Sequence, residues 1–267
     1  MVRRYHGSRR MVRLPVQMPK ILVTNDDGVH APGIKALAEA MRPLGDVLVV
    51  APHQESSAIG HALTLRRPLR LETFGPDIYA VDGTPTDCVN IAVAVLLRGQ
   101  KPDLVVSGIN TGWNLGDDVT YSGTVSGALE AALLGAPAIA VSLMRTRDWV
   151  FDFGPSAAVA HDMAVHVLRE GLPDRVFLNV NVPRGVPKGL RLTVQGKRNH
   201  VTTIDERIDP RGQRYYWIEE GDDDWDPHDR SDYVVCRQGY VSVTALQPDM
   251  TAHTGAPAWL GQIVSGE

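Results

Sequence analysis

The chain has 267 residues, 43% hydrophobic and 22% charged, an ordinary balance for a globular protein with room for one large α/β domain and appendages. A net charge of -4 argues against a general nucleic-acid binder, which needs a basic face. The two cysteines, Cys88 and Cys236, are isolated; they build no disulfide framework or zinc knuckle, fit a reducing compartment, and read as small buried hydrophobes. No apolar run reaches the length of a membrane span. Residues 1–18 carry Arg3, Arg4, Arg9, Arg10 and Arg13 but no apolar segment, so they are not a secretory signal. They read as a disordered leader or as the product of an upstream start codon, with Met18 as the working start. The expected location is cytoplasmic.

In chain order, residues 21–24 are a short apolar run that reads as a buried parallel strand. It runs into Asn25-Asp26-Asp27-Gly28 and then a helix at 34–41, with Pro32 and Gly33 at its mouth. A loop between a parallel strand and a helix lies at the carboxyl edge of a sheet, where open α/β folds bind ligands. Two adjacent carboxylates repel each other there unless a cation sits between them. A plain turn with local side-chain bonds is the competing reading of this loop.

Further strands are expected at 47–51, 78–81, 104–108 and 138–142, and helices at 86–97, 123–134 and 156–170. Residues 175–182 add one more strand. This alternation predicts βαβ units, that is, a Rossmann-like parallel sheet with helices on both faces, over residues 19–186. After Pro187 the texture changes. Strand-like segments at 190–196, 213–220 and 240–245 alternate with polar, Pro- and Gly-rich connections and the acidic run Asp222-Asp223-Asp224-Trp225-Asp226. Residues 187–267 are expected to form a hairpin-rich extension for oligomer contacts. Tyr215, Tyr216, Trp217, Trp225, Tyr233 and Tyr240 are its candidate interface anchors, with packing onto the same subunit as the alternative. The acidic run reads as a solvated loop, and His200, His228 and His253 as surface or packing residues.

Four more segments carry chemistry, each after a predicted strand. Residues 51–61 bring Ser56 and Ser57 towards the Asp26/Asp27 loop, where hydroxyls suit a hard metal or a phosphate; a solvated loop is the alternative. No Gly-x-Ser-x-Gly elbow makes either one an acyl-transfer nucleophile. In Gly83-Thr84-Pro85-Thr86-Asp87, Thr86 is the expected helix cap, with Asp87 in the first turn. Residues 103–118 end a strand in a Gly- and Asn-rich loop, where Asn110 and Asn114 offer carboxamide oxygens to a cation and amide N–H groups to a phosphate. Ser122-Gly123-Thr124 opens an Ala-rich helix as an anion cradle. It is not a Walker loop, so ATP-driven chemistry is not indicated. Together these loops describe metal-assisted attack on a phosphate, with oxygen ligands that favour Mg²⁺, Mn²⁺ or Ca²⁺ over zinc.

The motifs Asn-Asp-Asp-Gly-Val-His-Ala-Pro-Gly, Gly-Thr-Pro-Thr-Asp-Cys-Val, Val-Ser-Gly-Ile-Asn-Thr-Gly-Trp-Asn-Leu-Gly-Asp-Asp-Val and Tyr-Ser-Gly-Thr-Val resemble the SurE family of metal-dependent nucleotidases. The resemblance runs from Lys20 to about His253. It implies hydrolysis of nucleoside 5′- and often 3′-monophosphates, one divalent cation per subunit, Mg²⁺ or Mn²⁺, and a homodimer or homotetramer built through C-terminal extensions. By the same resemblance Asp26, Asp27, Ser57 and Asn110 hold the metal, with Asp26, Asp27 and Asn110 catalytic. Ser122, Gly123 and Thr124 lie at the phosphate, with Asn25 and Asn114 beside them. The family often has Ser-Gly where this chain has Ser57-Ala58, and Ser56 competes for the ligand role. The general acid stays open between His53, His61 and solvent. A phosphatase of other small phosphomonoesters or short polyphosphate is the alternative activity. A nucleotide-binding regulatory module is a third, disfavoured because a pure binder has little need of Asp26 beside Asp27.

Overall fold

A computed structural model describes residues 18–145, 150–198, 203–219 and 224–251. Residues 1–17 of the expected leader, His200, His253, and Asp222 and Asp223 of the acidic run lie outside the described residues.

The first strand, β1 (Lys20–Thr24), shows how the core is made. Side chains alternate across a strand, so Ile21 and Val23 enter one apolar layer and Leu22 the other. The first layer is closed by α1 (Pro32–Met41) and α4 (Gly154–Glu170), the second by α2 (Pro85–Ile91) and α3 (Gly123–Leu133). Because both faces are covered, β5 (Leu104–Thr111) and β6 (Ala138–Leu143) are buried along nearly their whole length.

With β2 (Asp46–Pro52), β3 (Leu71–Gly75), β4 (Ile78–Val81), β7 (Phe177–Val182), β8 (Leu190–Thr193) and β11 (Val241–Leu246), these strands form one nine-stranded sheet. Its order is β3-β4-β2-β1-β5-β6-β7-β11-β8. β4, β2, β1, β5, β6 and β7 are mutually parallel; β3 and β11 run antiparallel to their neighbours β4 and β7. The chain moves outward from β1 to β2 and then returns to β5 on its other side. The β1/β5 boundary is therefore the switch point where open α/β sheets form a crevice.

The expected α/β architecture is present, with differences at its margins. The helix expected at 86–97 is α2 followed by a π-helical turn, Ala92–Leu96. Its cap is Thr84, not Thr86. The Thr84 hydroxyl accepts from the Asp87 N–H at 3.1 Å, and Asp87 Oδ2 accepts from the Thr84 N–H at 2.9 Å. Pro85 at the first helical position shifts the start forward, which buries Thr86 inside the first turn. β3 and β9 (Thr203–Ile208) carry too few apolar residues to signal themselves, since β3 is mostly exposed and β9 reads TIDERI, and α5 (Asp232–Arg237), at six residues, is too short to show a helical period.

The change of texture after Pro187 does not end the sheet. β8 and β11 extend it by two strands, and β11 pairs with β7 from Ser242↔Asn181 to Leu246↔Phe177. Among the described residues only β9 and β10 (Arg214–Glu219) form a separate antiparallel hairpin.

Candidate active site

The first loop is shaped by its own residues. Asn25 is fully buried, and its Nδ2 donates to the Gly28 carbonyl at 3.0 Å, closing a turn for which Gly28 takes φ +96°. Val29 N–H donates to the Pro52 carbonyl at 2.9 Å, tying the turn to β2. The helix that follows starts hard against β5: a Cβ on Gly33 would lie 2.2 Å from the Ile109 carbonyl oxygen.

Asp26 faces the start of α3. Thr124 Oγ1 donates to Asp26 Oδ1 in a short hydrogen bond, and Ser122 caps the helix by accepting from the Val125 N–H at 3.0 Å. Gly123 allows this approach, since a Cβ there would sit 2.7 Å from Asp26 Cβ. Burial pushes the Asp26 carboxyl above the ordinary 3.8, although the Thr124 bonds pull the other way. Asp27 is pushed up to about 7, first by burial, then by the charges of Asp26 and Glu55; a Thr111 backbone bond and Arg145 oppose the rise.

The second loop touches the first through the Ser56 N–H, which donates to the Asp26 carbonyl at 2.8 Å. Ser57, the expected ligand, is exposed, and its hydroxyl donates to Glu55 at 2.7 Å. Ala58 holds φ +54°, a left-handed conformation that glycine adopts at less cost. The structure thus brings both serines beside the Asp loop, with Ser56 docked through its backbone.

The third loop leaves β5, which pairs with β1 from Ile21↔Leu104 to Thr24↔Ser107, so Asn110 emerges beside the Asp loop. Asn110 Nδ2 donates to the Gly112 carbonyl at 2.9 Å, which commits the amide end and leaves Oδ1 for another partner. Asn114 is held inside the protein. Its N–H donates to Asn181 Oδ1, its carbonyl accepts from Asn179 and Asn181, and its Nδ2 donates to Ser142 at 2.7 Å. Further along, buried Asp232 accepts the N–H groups of Gly116 and Gly196, both at 2.9 Å.

Two buried oxygens of the first loop, Asn25 Oδ1 and Asp27 Oδ2, have no hydrogen-bond partner. Both are acceptors, beside a carboxylate pair that burial and mutual repulsion disfavour. A hard divalent cation supplies what such a set lacks, so the residues fit a metal. Among the described residues no third His, Cys, Asp or Glu completes a cluster, so further ligands would be neutral oxygens or water.

Of the two candidate general acids, His61 lies 2.7 Å from Glu130, a mostly buried carboxylate that also accepts from Asn90. Burial alone would raise Glu130; these bonds outweigh it and hold its carboxyl below the ordinary value. His53 lies 3.0 Å from Glu72, with its ring edge-on to Phe74 at 5.4 Å. Sequence reading missed Glu55 and Arg145, both felt electrostatically by Asp27. Arg145 follows the tip of β6; its position just past a buried strand was the only available signal.

A family described as Survival protein SurE matches residues 21–202 of the chain. A protein of Syntrophotalea carbinolica described as 5′-nucleotidase SurE is 54% identical over 231 residues, covering 86% of this chain and 92% of its own. A Geobacter sulfurreducens protein of the same description is 54% identical over 235 residues, 86% and 88% of the two chains. Among solved structures, the Aquifex aeolicus SurE protein superposes with a TM-score of 0.81 at 43% identity, covering 92% of this chain and all of that one.

Proposed function

This chain belongs to the SurE family, and we propose from that membership and from its site that it is a metal-dependent phosphomonoesterase releasing phosphate from nucleoside 5′-monophosphates, and 3′-monophosphates as well. The observation that carries the reading is the Asp26/Asp27 pair, with Asp27 Oδ2 unpartnered, set against the N-terminus of α3.

In this reading Asp26, Asp27, Ser57 and Asn110 hold one Mg²⁺ or Mn²⁺ per subunit. A cation bound there polarises the phosphoryl oxygen and lowers the pKa of its water. Thr124 orients Asp26. Gly123 lets the helix N-terminus come close, where backbone N–H groups favour phosphate oxygens. Ser122 fixes that terminus as its cap, Asn25 sets the turn that aims both carboxylates, and Asn114 holds the third loop in place. A cytoplasmic homodimer or homotetramer completes the proposal. No helix of the described residues is long and apolar enough to cross a membrane.

The test is phosphate release from AMP with Mn²⁺ or Mg²⁺, before and after EDTA. The reading expects release that EDTA abolishes and added metal restores. Turnover indifferent to EDTA overturns it.

A further inference from the structure

The second loop also walls a cleft of about 560 Å3, which the phosphate site does not use. It opens between this loop, Glu72 of β3, Val81 to Gly83 at the tip of β4, and Thr84. Ser56 lines it and is the residue whose N–H is bonded to Asp26, so the cleft opens directly beside the Asp loop. Its volume lies in the range that holds small organic ligands, roughly 300–1,000 Å3. A cleft of about 500 Å3 lined by Lys20 and Asp46 lies at the opposite end of β1 and β2, too far round the sheet to share a substrate with Asp26.

The wall is preformed. Thr64 donates both its N–H and its hydroxyl to Asp87, and the Thr84 hydroxyl donates to the Ala62 carbonyl at 2.7 Å. Gly60 N–H donates to the Tyr121 carbonyl at 2.9 Å. The lining combines an apolar ledge, Ile59 and Val81, with neutral polar groups on Gln54 and Thr64. Its charges are unequal. Arg67 lies 3.2 Å from Asp82 and offsets it, while Glu55 and Glu72 face only His53 as a further basic group in the lining. Such a cleft suits an uncharged polyol carrying a flat heterocycle, and it repels an anion.

We propose that this cleft takes the ribose and base of the nucleotide substrate, and that Glu55 and Glu72 exclude a second phosphate group from it. The proposal rests on the nucleotidase reading. Two variants of the full chain test it: Ile59→Trp, which fills the cleft from an exposed position, and Glu72→Lys, which reverses a wall charge. Ile59→Trp is expected to raise KM for AMP and Ki for adenosine together, by about tenfold, with Ki for inorganic phosphate unchanged. Glu72→Lys is expected to raise kcat/KM for ADP relative to AMP by about tenfold, less at high salt. Unchanged AMP and adenosine constants in Ile59→Trp overturn the proposal. So does a phosphate Ki that rises by the same factor, because the whole loop has then moved. If the wild type releases no phosphate from AMP, the nucleotidase reading fails by itself. Calorimetry with adenosine alone then decides the cleft: binding removed by Ile59→Trp sustains it, and no binding overturns it.

Discussion

Asp27 combines three conditions that rarely meet in one side chain: burial, an adjacent carboxylate and an oxygen with no partner. Its folded-state value of about 7 lies above the ordinary 3.8, so the protonated form is favoured by folding. The stability this contributes is complete below pH 3.8 and is lost as pH rises through about 7. The metal-free protein should therefore melt at a lower temperature at pH 8 than at pH 6. Over that interval the part due to Asp27 is about 1 kcal/mol or less once screening by nearby solvent is allowed for. Asp27→Asn should flatten that dependence and raise the metal-free melting temperature at pH 8, while Mn²⁺ binding in calorimetry and AMP turnover both collapse. A folded Asp27→Asn protein with normal turnover would remove the metal site from consideration.

The two serines are separable at the same scale. Ser57→Ala should weaken Mn²⁺ affinity about tenfold or more if that hydroxyl leaves Glu55 for the metal, whereas Ser56→Ala should change it little, because Ser56 docks through its backbone. The reverse ranking would transfer the ligand role to Ser56. Beside them, Ala58→Gly relieves a left-handed strain of about 1–2 kcal/mol but adds about 0.4–1 kcal/mol of unfolded-state entropy. The net expectation in urea denaturation is a gain of about 0–1.5 kcal/mol.

Among the elements, the starts of α2 and α3 organise the site, and each depends on a close contact. In α2 the reciprocal Thr84–Asp87 pair also anchors the second loop through Thr64 and Ala62. Thr84→Ala should lower stability by about 1–2 kcal/mol, read by chemical denaturation, with the larger share from the helix cap. In α3 a methyl on Gly123 meets Asp26 head on, so Gly123→Ala should lower both Mn²⁺ affinity and stability, the latter by about 1–3 kcal/mol. The start of α2 shows what local pattern misses. There Thr86 is the expected cap, two residues late, because a sequence cannot display which hydroxyl faces the N–H of Asp87.

For the whole molecule, the aromatic residues after Pro187 divide into two groups. Trp225 stacks on Tyr233 at 4.5 Å, and Tyr240 lies under Arg191 at 3.7 Å, so these three serve their own chain. Tyr215, Tyr216, Trp217 and Ile218 of the β10 strand are exposed on both faces of the hairpin. Two uncovered aromatic faces on a two-stranded ribbon are what an interface anchor looks like before its partner arrives. The protein should therefore elute as a dimer or larger in size exclusion with light scattering, and Tyr215→Ser with Trp217→Ser should shift it towards monomer without changing Mn²⁺ affinity. A wild-type monomer at micromolar concentration contradicts the interface. Two further residues after Pro187, Asp232 and Gln195, brace the loop that follows Asn114. Asp232 accepts from Gly116 and Gly196, and Gln195 Nε2 donates to the Gly116 carbonyl at 2.9 Å.

By itself, the sequence determined the alternating strands and helices, the carboxyl-edge position of the loops, and the residue types Asp26, Asp27, Asn110 and Ser122 to Thr124. Those features are local. A buried parallel strand must be apolar along its length, a strand–loop–helix unit must place its loop at one edge of the sheet, and paired carboxylates carry their chemistry in their identity. Only the tertiary structure decided that Asn114 faces inward to Ser142 and Asn181, that His61 is taken by Glu130 while His53 faces a cleft, and that β8 and β11 finish the sheet. Each of those outcomes depends on a partner far away in sequence, 67 residues for Asn114 and Asn181 and 69 for His61 and Glu130. Which of several available partners a polar group bonds is set by packing, and packing has no period to read along a chain.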